Sequence, residues 1–347
     1  MGSKVLSIDV GSRVLHMVEG SQVGSRNVRV SRTLSFPLAA NIIDNGVIIN
    51  KDIFVSGLVE AVEKGKFTAK KAILTVGNTA AVVKDVDLPN TKSNVFDALI
   101  RNEMQEVLND ETFHIIEYRK LYEYINDENE SKVKFRVSAI SFDVVKAFWE
   151  ALNEAGLNPI AMDINANAVD KLLTENTVIN GLNSLSRGSF VALDFGYTGT
   201  RIQIYTDGQP DFIRQILMGT KDLYDLIPPG FSETPDETER WKGLDLSKSD
   251  LENAAMYTAL KPFFLQWTNE LRKVIQYHKV ARRGKILKRV FLYGGGALIK
   301  GLPAYLNQIF DIPFENFSSL NRVQNQKALG ENGLILYIKA IGAIIRL

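Results

Sequence analysis

The sequence predicts a two-lobed α/β protein, and three glycine-containing turns far apart in the chain are the main evidence. In the stretches 6–20 and 190–210, an apolar strand ends in an aspartate, Asp9 or Asp194, and a glycine turn leads into a second strand. In the stretch 290–303, an apolar strand ends in three consecutive glycines. Glycine allows backbone N–H groups to approach a phosphate chain closely. One such turn alone is most often an ordinary hairpin, but three in this order predict a nucleotide site shared by two lobes.

The residues expected to contact the nucleotide lie in these turns. The first two hairpins look like crude copies of one unit, because each joins an apolar strand to an alternating one. Asp9 and Asp194 are the expected metal residues, holding Mg²⁺ through water, since this ion keeps most of its waters and takes few protein oxygens. The expected nucleotide contacts are Gly11, Ser12, Arg13 and His16 in the first hairpin, Gly196, Tyr197, Thr198, Gly199 and Thr200 in the second, and Gly294, Gly295 and Gly296 in the third turn, with the two hairpin tips expected to hold the phosphates.

The composition of the chain argues against several classes of function. The 347 residues are enough for about two domains with a sizeable core. A net charge of +1, from 41 basic and 40 acidic residues, gives no global field that would attract nucleic acid. The chain has no cysteine, which excludes disulfides and thiolate ligands, and its histidines, His16, His114 and His278, lack the spacing of metal ligands.

Hydropathy predicts no membrane insertion. The most apolar stretch, 334–345, is interrupted by Lys339. The N-terminus lacks a secretory pattern, because Asp9 falls where the apolar core of a signal would lie. We therefore expect a soluble, cytoplasmic protein.

Residues 70–159 are predicted to form a compact α+β module. Apolar and alternating runs predict four strands, at 72–76, 80–89, 114–125 and 132–141. Apolar residues at helical spacing predict two amphipathic helices, one with Phe96, Ile100, Met104 and Val107 on one face, and one that stops at Gly156 and carries Val145, Phe148, Leu152 and Ala155.

The second lobe is predicted to run from about 189 to about 316. Its polar, proline-rich stretch 228–243 predicts an exposed excursion. A long helix at 261–280 is expected to bury a stripe of apolar side chains and part of His278. The basic residues after this helix are expected to complement its C-terminus and to solvate a turn: Arg282, Arg283, Lys285, Lys288 and Arg289.

The order and spacing of these motifs resemble the actin/Hsp70-like ATPase superfamily and, within it, the type IV pilus assembly protein PilM family. The resemblance covers nearly the whole chain. The matching stretches are 8–12 with 18–19 in the first hairpin, 194–196 in the second, 214–219, 294–302 and 337–342.

The resemblance implies an actin-like, ribonuclease H-like fold of two lobes with the α+β module inserted in the first lobe. The implied divisions are 1–70 for the first part of the first lobe, 71–159 for the module, 160–188 for the rest of the first lobe and the crossover, 189–316 for the second lobe, and 317–347 for a C-terminal helix region that returns to the first lobe.

The resemblance also implies ATP or ADP with Mg²⁺ as the ligand. It adds Gly219 to the expected nucleotide contacts. On the long helix it implies that Glu270 and Lys273, one turn apart, meet the ribose and adenine. An exposed ion pair is an equal alternative for these two residues.

Two departures from the family pattern predict slow ATP hydrolysis or none. Relatives carry a lysine in the first hairpin where this chain has His16, which is mostly neutral at pH 7. The family glutamate that would orient the attacking water falls on Asn165, and the nearby Asp163 is a second catalytic candidate. An amide can hold a water but cannot take its proton, and losing a base typically costs about 10²–10⁴ in rate. ATP would then act as a clamp between the lobes.

A further implication is a partner, the cytoplasmic N-terminal segment of a PilN-like inner-membrane protein. It would lie in a groove between the first lobe and the module, with strands 72–88 and one or both module helices as the nominated walls. A pilus assembly ATPase is a second implied partner, and weak self-association stays open. The protein would reach the inner face of the membrane only through its partner.

Other functions remain as alternatives. An FtsA-like division anchor would be expected to end in a linker and an amphipathic helix, a pattern that the sequence does not show. A filament-forming actin homologue is compatible with the same fold. A sugar or acetate kinase would need a substrate pocket with a placed carboxylate base, and no sugar-binding pattern accompanies the aspartates.

Overall fold

The computed structural model describes residues 2–77, 80–108, 112–182, 188–227, 244–247, 254–281, 285–330 and 333–346. The chain forms two compact units: unit 1 consists of Met1–Lys171 and Lys339–Leu347, and unit 2 of Leu172–Ile338. The predicted excursion at 228–243 and two of the basic residues after the long helix, Arg282 and Arg283, lie outside the described residues. No helix in the described part of the chain has the length and apolarity needed to cross a membrane.

Unit 1 is built on a mixed sheet. Five of its strands are β1 (Val5–Val10), β2 (Val14–Val23), β3 (Asn27–Pro37), β6 (Lys71–Val76) and β10 (Asn158–Ile164). They lie in the order β10-β6-β1-β2-β3, in which β1, β2 and β3 are antiparallel neighbours and β1, β6 and β10 are parallel. The remaining elements around this sheet are the short strands β4 (Ile43–Asp44) and β5 (Val47–Ile48) and the helices α1 (Lys51–Lys64), α3 (Phe142–Glu154) and α4 (Asn165–Leu172).

The inserted module is a three-stranded antiparallel sheet with one helix packed on it. Its strands are β7 (Ala81–Pro89), β8 (His114–Ile125) and β9 (Ser131–Ser141), in the order β7-β9-β8, and its helix is α2 (Phe96–Gln105). The helix buries Ile100 and Met104 against the sheet, as its apolar spacing predicts. Val107 lies beyond the end of the helix and is half exposed, so its predicted place on the buried face is wrong.

The strand predicted at 72–76 belongs to the main sheet and not to the module. It forms most of β6, which lies between β1 and β10. Five of its six residues are buried, and continuous burial is typical of a parallel strand that is covered on both faces. The other three strands predicted for this region are confirmed as β7, β8 and β9.

Unit 2 repeats the strand topology of unit 1. Its strands are β11 (Ser189–Phe195), β12 (Thr200–Thr206), β13 (Gln209–Ile216), β14 (Leu287–Tyr293) and β15 (Phe314–Asn316), in the order β13-β12-β11-β14-β15. As in unit 1, a three-stranded antiparallel part continues into two parallel strands. The predicted similarity of the two halves is therefore confirmed at the level of topology.

The long helix predicted in unit 2 is α6 (Ala254–Ala281), which begins earlier than predicted and continues through Pro262. Its predicted stripe is buried in the core of unit 2: Phe264, Trp267, Leu271 and Val274. His278 was expected to be partly buried, but only 2 % of it is exposed. The remaining elements are α5 (Thr220–Leu226), α7 (Leu302–Ile309), β16 (Val323–Gln324) and α8 (Gly333–Ile344).

Candidate functional site

Asp9 lies at the carboxyl end of β1, where three parallel strands end side by side. It is in register with Thr75 of β6, which is in register with Asp163 of β10. Asp9 is buried, and the hydroxyl of Thr75 donates a hydrogen bond of 3.2 Å to its Oδ1. Ligands of open α/β sheets bind at the carboxyl ends of the strands. The structure therefore brings two of the predicted site residues, Asp9 and Asp163, to the carboxyl edge of this sheet.

A cation that the sequence analysis did not assign to the site lies beside Asp9. The Nζ atom of Lys339, in α8, is 3.1 Å from Asp9 Oδ2, and the two side chains are 12 % and 1 % exposed. A buried carboxylate needs such a partner, because desolvation without compensation is costly. In the sequence, Lys339 could have been found as the single charged residue within an otherwise apolar helix.

His16 lies directly across the hairpin from Asp9. Its Nδ1 atom is 2.9 Å from the hydroxyl of Ser35. Burial lowers the pKa of His16 from 6.5 to about 4, the carboxylate of Asp9 acts in the opposite direction, and the ammonium of Lys339 lowers it further. His16 is therefore neutral at pH 7, and it supplies no fixed positive charge to this hairpin.

The first hairpin turn depends on Gly11. Its N–H donates to the carbonyl of Val14 at 3.0 Å, and a Cβ at this position would lie only 2.8 Å from the same oxygen. Ser12 and Arg13 follow in the turn, both partly exposed, and the carbonyl of Arg13 accepts a hydrogen bond from Leu38. The turn thus holds the predicted phosphate-contacting positions at the end of β1.

In the second hairpin, the aspartate faces a cation from the neighbouring strand of the same hairpin. Asp194, at the end of β11, lies opposite Arg201 of β12, and the Nη1 atom of Arg201 is 3.6 Å from Asp194 Oδ2. Both side chains are at least nine-tenths buried. Arg201 was missed in the sequence analysis, although the hairpin register alone would place it opposite Asp194.

The turn of this hairpin packs closely against the chain before α5. The N–H of Gly196 donates to the carbonyl of Gly199, and the carbonyl of Gly196 accepts from Thr220. A Cβ on Gly219 would lie 2.1 Å from the carbonyl oxygen of Tyr197 and 2.5 Å from the nitrogen of Gly199. Only glycine fits there. Tyr197 and Thr198 are partly exposed at the tip, while the hydroxyl of the buried Thr200 donates to the carbonyl of Met218.

The triple glycine lies beside the second hairpin. Gly294 has a φ of 86°, and a Cβ there would lie 2.3 Å from Asp194 Oδ1. A Cβ on Gly296 would meet the ring of Phe195 at 2.4 Å, whereas one on Gly295 would meet open space. The first and last glycines are therefore explained by the close approach of Asp194 and Phe195 to their backbone. Within unit 2, the structure therefore brings together two of the three predicted turns.

Glu270 and Lys273 form an ion pair on the surface of α6. The distance from Lys273 Nζ to Glu270 Oε1 is 2.6 Å, and the side chains are 70 % exposed for Lys273 and 37 % for Glu270. This geometry is that of the exposed ion pair considered in the sequence analysis. Their contact with ribose and adenine stays a prediction.

The two catalytic candidates differ in their surroundings. Asp163 is buried and accepts hydrogen bonds from Lys171 Nζ at 2.6 Å, from Asn167 Nδ2 at 2.8 Å and from the Ile164 N–H at 2.9 Å. Such a carboxylate suits a structural ion pair better than a general base. Asn165, the first residue of α4, is 4 % exposed, and among the described residues its Oδ1 has no hydrogen-bond donor. That oxygen is suited to holding a water, and its catalytic role stays a prediction.

Each of the two expected metal residues lies beside a cation of the chain, and the binding of Mg²⁺ through water stays a prediction. The carboxylate of Asp9 is engaged by Thr75 and Lys339, and that of Asp194 faces the guanidinium of Arg201. Asp9 Oδ2 is nevertheless a buried oxygen that accepts no hydrogen bond from the described residues. Within the described ranges, no group of three or more histidine, aspartate or glutamate side chains has the arrangement of a metal site.

A groove of about 560 Å³ lies within unit 1, between the module and the main sheet. It is lined by residues of β8, β9 and β10, with Val145 of α3, Ala81 of β7, Asn167 and Lys171 of α4, and Ile345 and Arg346 after α8. Of the walls nominated from the sequence, only Ala81 and Val145 line it. The nomination missed β8, β9 and β10, because strand pairing between distant segments determines which edges face the groove.

Ion pairs connect the module to α4, next to this groove. Arg136 of β9 donates to both oxygens of Asp85, at 2.7 and 2.9 Å, and to Asp170 of α4 at 2.7 Å. Arg119 of β8 donates to the same oxygen of Asp170 at 2.7 Å. Bidentate arginine pairs of this kind fix geometry as well as charge. They hold the module in place against α4.

Comparisons with known proteins agree with this architecture. The family model described as type IV pilus assembly protein PilM matches residues 7–346. A search of curated proteins found no match. Among solved structures, the "PilM-PilN type IV pilus biogenesis complex" is similar at 18 % identity with a TM-score of 0.80, covering 100 % of this chain and 99 % of that one.

Two further solved structures share the fold. The ethanolamine utilization protein EutJ from Carboxydothermus hydrogenoformans is 12 % identical with a TM-score of 0.56, covering 100 % of this chain and 91 % of that one. MreB 5 of Spiroplasma citri bound to AMPPNP is 12 % identical with a TM-score of 0.50, covering 99 % of this chain and 95 % of that one. The predicted actin-like ATPase fold is therefore confirmed.

Proposed function

Because the chain belongs to the type IV pilus assembly protein PilM family, we propose that it is a scaffold that binds the cytoplasmic N-terminal segment of a PilN-like membrane protein. The structural relative with the TM-score of 0.80 is a PilM–PilN complex. We further propose that the segment binds in the groove of unit 1, and that this contact recruits the protein to the inner face of the cell membrane.

The main support for this proposal is that, among the described residues, the groove contains two strand edges with no neighbouring strand. β10 is the outer strand of the main sheet and β8 is an outer strand of the module sheet. Five consecutive residues of β10, 160–164, line the groove, so the strand presents its edge there and not one face alone. Unpaired edges accept an extended peptide as an added strand. At about 3.3 Å per residue, the edge at 160–164 matches a segment of roughly five residues.

Two side chains of β10 provide an apolar patch in the groove, whose lining also includes charged residues. The register between β10 and β6 shifts between Pro159 and Ala161, so Ile160 is the extra residue of a bulge. Ile160 is 43 % exposed and lines the groove together with Met162. Bulges on edge strands are typical of places where a side chain is aimed at a partner.

A peptide titration tests this proposal. The synthetic N-terminal segment of the PilN-like protein from the same genome is titrated into the full chain by calorimetry, and we expect saturable binding of one peptide per chain. Ile160→Asp should weaken binding at least about tenfold, because it places a charge in an apolar contact. The matched control is Ile125→Asp, since Ile125 is 69 % exposed in the same unit and does not line the groove.

Two results would contradict the proposal. One is the absence of binding to the folded wild-type chain, which would favour a filament or division-anchor function. The other is an equal loss of binding in both variants, which would mean that binding does not depend on the groove.

We also propose that the hairpin turns bind the phosphates of ATP or ADP, and that hydrolysis is slow. The proposal is supported by the glycines that hold the turns of both hairpins, and by Asn165 in place of a catalytic base. Asn165→Glu should raise the rate of phosphate release at least about tenfold, because it restores a general base. A wild-type chain that already turns over rapidly would contradict slow hydrolysis.

A further inference from the structure

We propose that one edge of unit 1 makes a second, direct contact with the membrane, in which exposed cations bind the headgroups of anionic phospholipids. These cations form the basic edge: Lys4, Arg32, Lys66, Lys70 and Lys71. The inference goes beyond the proposed scaffold function, because the contact requires neither a PilN-like segment nor a nucleotide. It replaces the expectation that the protein reaches the membrane only through its partner.

Strand register places part of the basic edge at the amino ends of β1 and β6. The two strands are parallel, with Leu6 in register with Ala72, so Lys4 and residues 70–71 lie at the same edge of the sheet. Asp9 lies at the other end of β1, about 17 Å along the strand. The basic edge is therefore remote from the candidate phosphate-binding turn, and no residue of it is among those that line the groove.

Glu19 connects Lys4 and Arg32 with the loop that joins α1 to β6. Its buried carboxylate lies 3.3 Å from Lys4 Nζ and 3.8 Å from Arg32 Nη1, and it accepts hydrogen bonds from the backbone N–H groups of residues 68–69. Arg32 also donates to the carbonyl of Lys66. The carboxylate thus holds the loop beside the two cations, and its single charge neutralises only one of them.

The other three cations of the basic edge have no counter-ion. Lys66, Lys70 and Lys71 are exposed and form no ion pair with any described residue. The stretch 64–71 contains four lysines and no acidic residue. With the one charge left over beside Glu19, the edge keeps four positive charges in a chain whose net charge is only +1. The net charge of the whole chain therefore hides a local positive field.

Lys66 occupies a backbone position that favours glycine. It follows the last turn of α1 with a φ of 49°, and the N–H groups of Lys66 and Phe67 donate to the carbonyls of Glu63 and Val62. Helices that end with this pair of bonds usually have glycine at the left-handed residue, because a Cβ is disfavoured there. A side chain at a strained position points to a use for that side chain, and this one adds a positive charge to the exposed edge.

The composition of the basic edge favours a lipid surface over other polyanions. Four of its five cations are lysines, whose compact charges on flexible stems suit the mobile headgroups of a bilayer, whereas arginine is preferred for fixed bidentate contacts with phosphate. The one aromatic residue of the loop, Phe67, is buried, so the loop offers no ring on which nucleic-acid bases could stack. The occupant that fits is a membrane leaflet that contains anionic phospholipid.

Vesicle binding by the full chain, without PilN-like peptide or nucleotide, tests the inference. We expect the protein to cosediment with vesicles that contain phosphatidylglycerol and not with vesicles of phosphatidylcholine alone. Raising the salt from about 0.1 M to about 1 M should release it, because the Debye length falls from about 10 Å to about 3 Å. Lys70→Gln with Lys71→Gln should weaken binding at least about tenfold, since each cation near an anionic surface contributes about fivefold in affinity.

The matched control removes two exposed lysines of the same unit that lie outside the basic edge. Lys92→Gln with Lys146→Gln makes the same change in net charge and should bind vesicles like the wild type. Lys66→Gly separates charge from folding, because it removes a cation and relieves the left-handed position. It should weaken vesicle binding about fivefold while raising the unfolding temperature, whereas a loss of binding caused by misfolding would lower that temperature.

The outcomes separate this inference from the proposed function. Absence of binding to the anionic vesicles, equal binding to neutral ones, or an equal loss in both double variants would overturn the inference, as would tighter binding to duplex DNA than to anionic vesicles. Calorimetry should show unchanged binding of the PilN-like segment to Lys70→Gln with Lys71→Gln. A wild-type chain that binds anionic vesicles but not the segment would contradict the scaffold function alone.

Discussion

In both hairpins the first strand ends in a buried aspartate, but the cation that neutralises this aspartate comes from a different part of the chain in each. In unit 2 the cation is Arg201, directly across the hairpin from Asp194. In unit 1 the facing residue is the neutral His16, and the cation is Lys339 from the other end of the chain. One pair follows from hairpin register and the other from the fold of the whole unit. A hairpin motif therefore predicts where a carboxylate lies, but not which charge it faces.

The largest effect in this comparison is expected at the turns themselves. Gly219→Ala should lower the free energy of unfolding by roughly 3 kcal/mol, because its Cβ would overlap three rigid backbone atoms, the nearest at 2.1 Å. Gly11→Ala in the first hairpin should lower it by about 1–2 kcal/mol, since the only backbone atom that its Cβ overlaps is 2.8 Å away. Urea denaturation of both variants measures the difference. An equal loss of unfolding free energy in the two variants would show that the two turns are packed equally tightly.

A smaller effect on stability is expected at Glu19, a second buried carboxylate of the first hairpin. Burial raises the pKa of Glu19, but hydrogen bonds from the backbone N–H groups of Thr68 and Ala69 and from the Thr68 hydroxyl outweigh it, so the pKa is lowered from 4.5. Its stabilising contribution is therefore present above pH 4.5 and is lost as the pH falls below that value.

Glu19→Gln should lower the free energy of unfolding at pH 7 by about 1–2 kcal/mol and should make stability less sensitive to acid below pH 4.5. The measurement is denaturant unfolding of wild type and variant at a series of pH values. A variant that keeps the wild-type acid sensitivity would mean that other carboxylates determine it.

The smallest effect is expected for the exposed pair on α6. Lys273→Met removes an ion pair with Glu270 that is as short as any at the hairpins, but the lysine is 70 % exposed. Solvent screening limits such pairs to about 0–1 kcal/mol. Thermal unfolding should therefore barely change. A loss as large as that of a buried pair would contradict the view that burial, and not distance, determines the contribution of these ion pairs.

The sequence predicted most of the architecture because its signals were local. The hairpins, the strands β7 to β9, the long helix and the site glycines follow from periodicity and turn residues. The partner of Asp194 was equally predictable, since antiparallel register places Arg201 opposite it. The sequence analysis missed this pairing because it assigned a role to the carboxylate and did not ask which residue lies opposite it.

The features that the sequence did not predict depend on residues far apart in the chain. Lys339 is brought to Asp9 by the packing of the last helix, and the walls of the groove are strand edges whose exposure depends on the order of strands in two sheets. Asp163 was expected to act in catalysis, and its neutralisation by Lys171 could be read only from the structure. Local patterns contain no information about such pairings.

Asp9 and Lys339 form a buried ion pair, and a double-mutant cycle measures how strongly the two side chains are coupled. Asp9→Asn, Lys339→Met and their combination are compared by urea denaturation, with Asp194→Asn and Arg201→Met as the parallel cycle. We expect a coupling energy of about 2–3 kcal/mol for Asp9 with Lys339, and about 1 kcal/mol for the more widely separated pair. A coupling energy below about 0.5 kcal/mol for Asp9 with Lys339 would contradict the account.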